Sequence, residues 1–425
     1  MSSILVIGGG AAGLIAAIMG AKTGASVTLL ERNERLGKKI LITGKGRCNV
    51  TSAADVEEIV RHFPGNGTFL YSSLRAFDSA RTVEFFENLG VPLKIERGQR
   101  VFPVSDRAQD VVDALEKELK RLGVSVHYGQ RVKAIKRKAE GAVAGVVTEK
   151  GDSFPASAII IATGGMTYPG TGSTGDGYRL AQIVGHEIKP LRPSLVPLVT
   201  EEKWIADLQG LSLKNVRLTL TTKNGKKLGE DFGEMIFTHF GLSGPLILTL
   251  SKKATDYWEQ KGKSTDQKEP LTMKINLKPA LTPEQLDRRI QRDFEQYARK
   301  QYKNALQDLL PKSLIPVIQK LSMIPEDKFV HQINRQERFR LQELIRAMTL
   351  TVVDHRPMKE AIVTAGGVSI KEINPKTMAS KIVPGLFFAG EVIDVDGYTG
   401  GFNLQGAWST GAIAGKSAAE VVTDT

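Results

Sequence analysis

Gly8, Gly10 and Gly13 stand at the G-x-G-x-x-G spacing that lets bare backbone hold a pyrophosphate. The first glycine allows a tight turn, and the second lets the main chain approach the phosphates. The third lets the following helix pack on the preceding strand. Ala11 and Ala12, inside the motif, join the expected contacts. Glu31 follows at the distance expected of a carboxylate that binds ribose hydroxyls. Its charge would repel a 2′-phosphate, which makes NADP a poor fit and leaves NAD or the ADP half of FAD.

These residues need elements to position them, and the flanking sequence supplies them. Ile4–Ile7 is an uncharged apolar run, the pattern of a strand buried on both faces. Leu14–Gly24, rich in Ala, Leu and Ile, reads as a helix whose N-terminal N–H groups and positive dipole end face the phosphates. Val27–Leu30 is a second apolar run that ends on Glu31. Strand, glycines, helix, strand and acid in register make a dinucleotide site.

The next stretch, RNERLGKKILITGKGRCNVTS, is too polar and glycine-rich for core. Arg32, Lys38, Lys39, Gly44, Arg47, Cys48 and Asn49 are expected to extend the site from the ribose towards a reactive ring. Cys48, the single cysteine, reads as a small packing residue rather than a redox thiol. Tyr71–Leu89 has helical spacing, Val91–Val104 reads as a hairpin, and Ser105–Leu122 as an amphipathic helix. Val124–His127 reads as a parallel strand, and the meander that follows contributes Val132. Ser157–Ala162 is another buried strand. It ends in Thr163, Gly164 and Gly165, and with Ala162 these invite ligand contact at the carboxyl edge of a sheet.

A second strand, glycine loop and helix lie near the C-terminus. Ala361–Val368 carries Gly366 and Gly367, and Leu386–Glu391 is a buried strand that ends in Gly390 and Glu391. Asp394–Gly401 follows, then Asn403–Gly406, then a small-residue helix over Ala407–Val422. Asp394, Gly400, Gly401, Asn403, Leu404, Gln405, Gly406 and Ala407 are the expected contacts. A long cofactor with two ends explains why both ends of the chain carry such a motif. This favours FAD, with its ADP at the first motif and its flavin at the second, where the helix near Gly406–Ala407 points its positive end.

The 425-residue chain suits two or three domains, and its composition is that of an ordinary globular protein. No uncharged apolar run is long enough to span a membrane, and a cytoplasmic location is expected. One cysteine and six scattered histidines offer no metal site. The net charge of +12 gathers at Arg32–Arg47, Lys117–Lys138 and Arg288–Lys303. Interleaved Glu284, Asp287, Asp293 and Glu295 can pair locally with the last group, so nucleic acid is not the expected partner.

Pro190, Pro193 and Pro197 mark an expected domain exit. Short alternating strands and an Asn224–Gly225 turn then suggest a small antiparallel β unit. Thr282–Ala347 is helical, with breaks at Pro311, Pro316 and Pro325, and Thr349–Val353 returns as a strand. The reading is an α/β chain. Residues 1–190 and 354–425 form a discontinuous Rossmann-type domain, 191–278 and 348–353 a β-barrel-like insert, and 279–347 a helical subdomain.

GGGAAG, LITGKGRCN, FTHFGLSGP at Phe237–Pro245, TAGGV at Thr364–Val368 and LFFAGEVIDVDGYTGGFNLQGAWSTG at Leu386–Gly411 together resemble the HI0933-like (YhiN/BaiN, aminoacetone oxidase-like) flavoproteins. The resemblance covers essentially the whole chain. It implies an FAD-binding domain of the glutathione-reductase and fumarate-reductase type, interrupted by a β-barrel-like domain and a helical domain. It also implies that the backbone at Gly366 and Gly367 lies against the flavin. The implied activity is FAD-dependent oxidation or reduction of a small molecule. No second strand, G-x-G-x-x-G and helix unit occurs between Pro190 and Val353, so NAD(P)H would bind transiently or the reducing substrate would meet the flavin directly. His239, in the specific FTHFGLSGP stretch, and Tyr398, in the glycine loop, are the expected acid–base residues, while His355 reads as a linker residue. An RNA-modifying flavoprotein and a low-turnover redox sensor are the alternatives.

Overall fold

Apolar runs without alternation make strands covered on both faces, and such runs form the centre of one five-stranded parallel sheet whose edge strand, Ser125–His127, is only partly covered. The computed structural model describes residues 3–262 and 268–423. The chain forms two compact units, Met1–Pro193 with Met358–Thr425, and Ser194–Pro357. The strands that carry the site, all in the first unit but for the last residue of β5, are β1 (Ser3–Ile7), β2 (Ser26–Leu30), β3 (Ser125–His127), β4 (Ala158–Ile161), β5 (Ile188–Ser194), β6 (Val363–Val368) and β7 (Leu386–Phe388). Five of them pair in the order β7-β4-β1-β2-β3, and β5 and β6 form a separate pair. The register sets Leu5 beside Ile159 and Thr28, and Ile160 beside Phe387. Because the five strands are parallel, the chain leaves β1, β4 and β7 at the same edge.

Two helices interlock on this sheet, α1 (Ala11–Lys22) and α2 (Phe402–Thr423). Ala12 through Gly20 of α1 are all buried, as expected of a helix with apolar or small residues on every side. Gly411 and Gly415 of α2 lie so close to the Ala12 and Ala16 carbonyl oxygens that a Cβ at either would collide with them. The segment Phe402–Thr423 is therefore packed into the core of the first unit.

The second unit has its own core. The strands Leu198–Thr200, Gly241–Ser243, Lys227–Thr238, Ser212–Thr222, Leu271–Asn276 and Met348–His355 close, in that order, into an antiparallel barrel. Leu218, Leu220, Phe237, Met273, Ile275 and Leu350 are buried within it. The helices Pro283–Gln296 and Arg335–Arg346 each start with a capping box, Thr282 with Gln285 and Asn334 with Glu337. They share one apolar cluster with the barrel. Residues 263–267, inside the stretch expected as barrel, lie outside the described residues. Among the described residues, no helix is long and apolar enough to cross a membrane.

Several expectations need correction. The Tyr71–Leu89 periodicity is two helices, Tyr71–Ala76 and Ser79–Asn88, because the Asp78 side chain accepts the Arg81 N–H at 2.8 Å and caps the second. The exit expected at Pro190, Pro193 and Pro197 falls at Pro193, where the first unit gives way to the second. But Pro190 and Pro193 also lie inside β5, whose single partner is β6, so their missing donors face no second strand. Pro316 stands in the first turn of the helix Ile315–Ser322, where it starts a helix instead of breaking one. His355 ends the last barrel strand and is not a linker residue, and residues 354–357 go with the second unit. The last helix starts at Phe402, not near Gly406–Ala407.

Candidate cofactor-binding and active site

The turn after β1 shows each motif glycine at work. Gly8 has φ +105°, and a Cβ there would sit 2.6 Å from the Ala162 carbonyl oxygen. A Cβ on Gly13 would overlap the Gly8 carbonyl, so α1 can approach β1 only if that position is glycine. Gly10 differs, because a Cβ there would meet nothing within 4 Å. The space beside it is open, and the first turn of α1 has no side-chain cap. N–H donors at an uncapped helix start, next to an open cradle, fit a phosphate group.

Glu31 is buried. Its Oε2 accepts the Gly9 N–H at 2.7 Å, and its Oε1 accepts the Asn33 N–H at 2.8 Å and Asn33 Nδ2 at 2.7 Å. A carboxylate has about four acceptor positions, so about one is left for a ribose hydroxyl. Asn33, not singled out from the sequence, thus positions the acid. Arg32 turns elsewhere: its guanidinium bonds Thr174 and Asp176, and Asp176 also takes a two-pronged bond from Arg131 at 2.7 and 2.8 Å. Those bonds hold the Asp176 carboxyl below its ordinary range, against the opposing effect of burial. Val132 is buried, and its carbonyl accepts Arg179.

The basic loop divides in the same way. Lys39 Nζ donates to Glu391 Oε2 at 2.7 Å and to Thr167 at 2.8 Å, while Glu391 Oε1 accepts the Thr364 N–H at 2.8 Å. Two expected residues, distant in sequence, are thereby joined. Lys38 is half-buried beside them. Arg47 faces away, paired with Glu96 and Asp106 and lying 4.1 Å from the Phe102 ring centroid. Gly44 has a left-handed backbone, as do Lys45 and Cys48, where a side chain makes that conformation costly, about 1–3 kcal/mol each. Cys48 is fully buried and its thiol is pushed up to about 12 by desolvation, so it packs and does not react. Among the described residues, Asn49 Oδ1 and Thr163 Oγ1 are buried with no hydrogen-bond partner; Thr163 Oγ1 packs against Gly177, whereas Asn49 stands in the basic loop, where a bound cofactor would satisfy it. Ala162 is buried, and Gly164 (φ +72°) and Gly165 continue from it at the sheet edge.

The C-terminal loop closes on the same edge. Gly390 has φ +76°, and a Cβ there would lie 2.7 Å from the Ala12 side chain, so this segment rests on the start of α1. Gly401 fits against the Thr51 carbonyl, which a Cβ would approach to 2.5 Å, and Gly400 against the Phe402 ring. Asn403 clamps the loop through the Gly397 N–H, Gly397 O and Tyr398 O. Leu404 and Ala407 are half-buried in the first turns of α2, and Gly406 faces the Phe63 ring. Gln405 turns inwards. It is fully buried and bonded to Thr51, the Phe77 carbonyl and Ser409, so its side chain serves packing and not the cofactor. Gly366 and Gly367 likewise make room for protein. A Cβ on the first would strike the Pro190 carbonyl, and one on the second would lie 2.7 Å from the Val392 carbonyl.

Tyr398 is half-buried, its N–H donates to the His62 carbonyl at 2.9 Å, and its ring lies edge-on to the His62 imidazole. His62 stacks on Phe402 with 4.0 Å between centroids. His239 is exposed at the turn that joins two barrel strands, edge-on to Phe240. His355 is bonded through Nδ1 to the Arg356 carbonyl, and burial lowers its pKa. Asn66 is a further addition, since Nδ2 donates to both the Asp394 carbonyl at 2.8 Å and Asp394 Oδ2 at 2.9 Å.

A family model described as the HI0933-like protein Rossmann domain matches residues 2–417. The chain is 35% identical over 425 residues to a 3-dehydro-bile acid delta(4,6)-reductase of Clostridium scindens, covering 99% of this chain and 100% of the relative. It is 31% identical over 413 residues to a ribosomal RNA dihydrouridine synthase of Escherichia coli, covering 96% of this chain and 95% of the relative. In fold it is similar to a 3-ketosteroid-delta4-(5alpha)-dehydrogenase from Rhodococcus jostii. There the TM-score is 0.54 at 16% identity, over 98% of this chain and 96% of that one.

Proposed function

The chain belongs to the HI0933-like family and is an FAD-dependent oxidoreductase, and we propose that it reduces a carbon–carbon double bond conjugated to a carbonyl group. The observation that carries this reading is what the two kinds of full-length relative share. One is named for reducing a bile acid and the other for making dihydrouridine. A 3-keto bile acid with ring unsaturation and a uracil base differ in shape, yet both carry a C=C in conjugation with C=O. The carbonyl draws electrons from the far carbon of that bond, which makes it the natural acceptor of a hydride.

The chemistry supplied by bound FAD is hydride transfer. Gly8–Gly13 and the first turn of α1 would hold its pyrophosphate, Glu31 its ribose, and Asn49 a further polar group. The start of α2 at Phe402 turns a positive helix end towards the loop Asp394–Gly401, worth about 0.3–1 kcal/mol to a nearby negative charge. Tyr398 is proposed to contact substrate. A small-molecule enone is the favoured substrate class, with NAD(P)H as a transient reductant.

A uracil base in RNA is the second reading, favoured by the net charge of +12 and by the dihydrouridine-forming relatives. Against it, much of the basic charge is paired locally, as in Arg289 with Asp293 and Arg338 with Asp287. The test is anaerobic: the protein is reduced with dithionite, then mixed with steroid enones, simple enones or unmodified ribosomal RNA while flavin absorbance is followed. Reoxidation by an enone supports the first reading. Reoxidation by RNA alone, with binding that falls steeply as salt rises, replaces it with the second.

A further inference from the structure

Saturating a C=C bond takes a hydride on one carbon and a proton on the other, and the site must hold a group that gives up that proton. Most acids at the carboxyl edge of the sheet are already committed. Glu391 is paired with Lys39 and bonded to the Thr364 N–H, and Glu31 accepts three donors. Tyr178 is buried with its hydroxyl given to the Glu391 carbonyl at 3.2 Å, and the Cys48 thiol is fully enclosed.

Asp394 is differently placed. It opens the loop that runs from β7 to the start of α2, at the edge where the Gly8–Gly13 turn and Thr163 also lie. Its N–H is bonded to the Val368 carbonyl, and Asn66 grips both its carbonyl and Oδ2, so the main chain and the carboxyl are fixed together. Oδ1 accepts nothing from the described residues.

We infer that Asp394 is the proton donor of the reduction, fixed in place by Asn66 as a positioning residue; the inference rests on the double-bond reduction proposed above. In the balanced step the substrate's C=C π pair is used to form one C–H bond, with the proton leaving the Asp394 carboxyl. The other C–H bond takes its hydride from the reduced cofactor. Asp394 is left as a carboxylate and regains its proton from water, and a dihydronicotinamide would supply the hydride that restores the reduced cofactor. A donor gains from surroundings that raise its pKa, and those of Asp394 act in that direction. Desolvation raises the Asp394 carboxyl above its ordinary range and the nearby Asp396 raises it further. Arg192 and Lys189 on β5, and the Asn66 bond, pull the other way. Tyr178 on its neighbouring helix is neutral, its hydroxyl held well above the ordinary range by burial.

The test uses Asp394→Asn and Asn66→Ala in the flavin-loaded protein, with a stability measurement on each apoprotein. Asp394→Asn, loaded with FAD and reduced by dithionite before mixing, should show reoxidation by an enone slowed by about 100-fold or more. Asn66→Ala should slow it less and shift its pH profile. A raised carboxyl pKa in the folded state costs stability once the unfolded carboxyl ionises. Asp394→Asn should therefore raise the apoprotein melting temperature at neutral pH, and the gain should vanish as pH falls through the ordinary carboxylate range. Reoxidation of Asp394→Asn within twofold of wild type, or no stabilisation at neutral pH, overturns the assignment. Wild type that no double-bond acceptor reoxidises defeats the functional reading, and the melting comparison still rules on whether the Asp394 carboxyl is raised in the folded protein.

Discussion

Two glycine-rich turns face each other across the carboxyl edge of the sheet, and they use glycine for different ends. In Gly8–Gly13, two glycines admit backbone and the middle one, Gly10, borders open space. In the C-terminal segment the left-handed glycines admit the chain itself: Gly390 against Ala12, Gly401 against Thr51, and Gly366 against Pro190 in the strand beside them. A glycine in a sequence announces that something comes close, without saying whether it is ligand or protein. What surrounds the missing Cβ decides between the two.

Substitutions can break that contrast. The largest effect is expected from Gly13→Val, whose side chain would overlap the Gly8 carbonyl. It should destabilise the first unit by about 3 kcal/mol or more, read as loss of soluble protein or a lowered denaturant midpoint. Next is Gln405→Ala, which strips buried partners from Thr51 and the Phe77 carbonyl and should cost about 1–3 kcal/mol while the protein stays yellow. Gly10→Leu should do the reverse, leaving apoprotein melting within about 0.5 kcal/mol of wild type and abolishing FAD retention. A yellow Gly10→Leu protein would show that the open space beside Gly10 is not the cofactor cradle. The smallest effect concerns Cys48. With its thiol pushed up to about 12, well above the ordinary thiol, native protein at pH 8–9 should resist alkylation that goes to completion once it is unfolded.

What could be read from the sequence is what short-range pattern controls. Ile4–Ile7, Val27–Leu30 and Ser157–Ala162 announce buried strands because parallel strands covered on both faces are continuously apolar, and Glu31 follows from spacing alone. Pairings across the chain left no such mark. The union of Lys39 with Glu391, and the grip of Asn66 on Asp394, exist because β7 returns to the sheet beside β4. Local chemistry also misled where one residue outweighs a period, as when Asp78 splits an apparently single helix by capping the second half. Gln405 looked like a ligand contact because it stands among glycines, yet its place on α2 turns it inwards. The second unit was legible as short strands followed by helices, but no periodicity states that a barrel closes.

The joining of β7 to β4 and of α2 to α1 also sets a timetable for synthesis. After β4 leaves the ribosome, the edge that β7 will cover stays bare while the intervening chain, including all of Ser194–Pro357, is translated. At roughly 5–20 residues per second that wait is on the order of tens of seconds, during which an apolar strand edge is available to other nascent chains. The inserted unit, with its own core, can close meanwhile. The cofactor-binding unit consequently closes only after the inserted unit has been made.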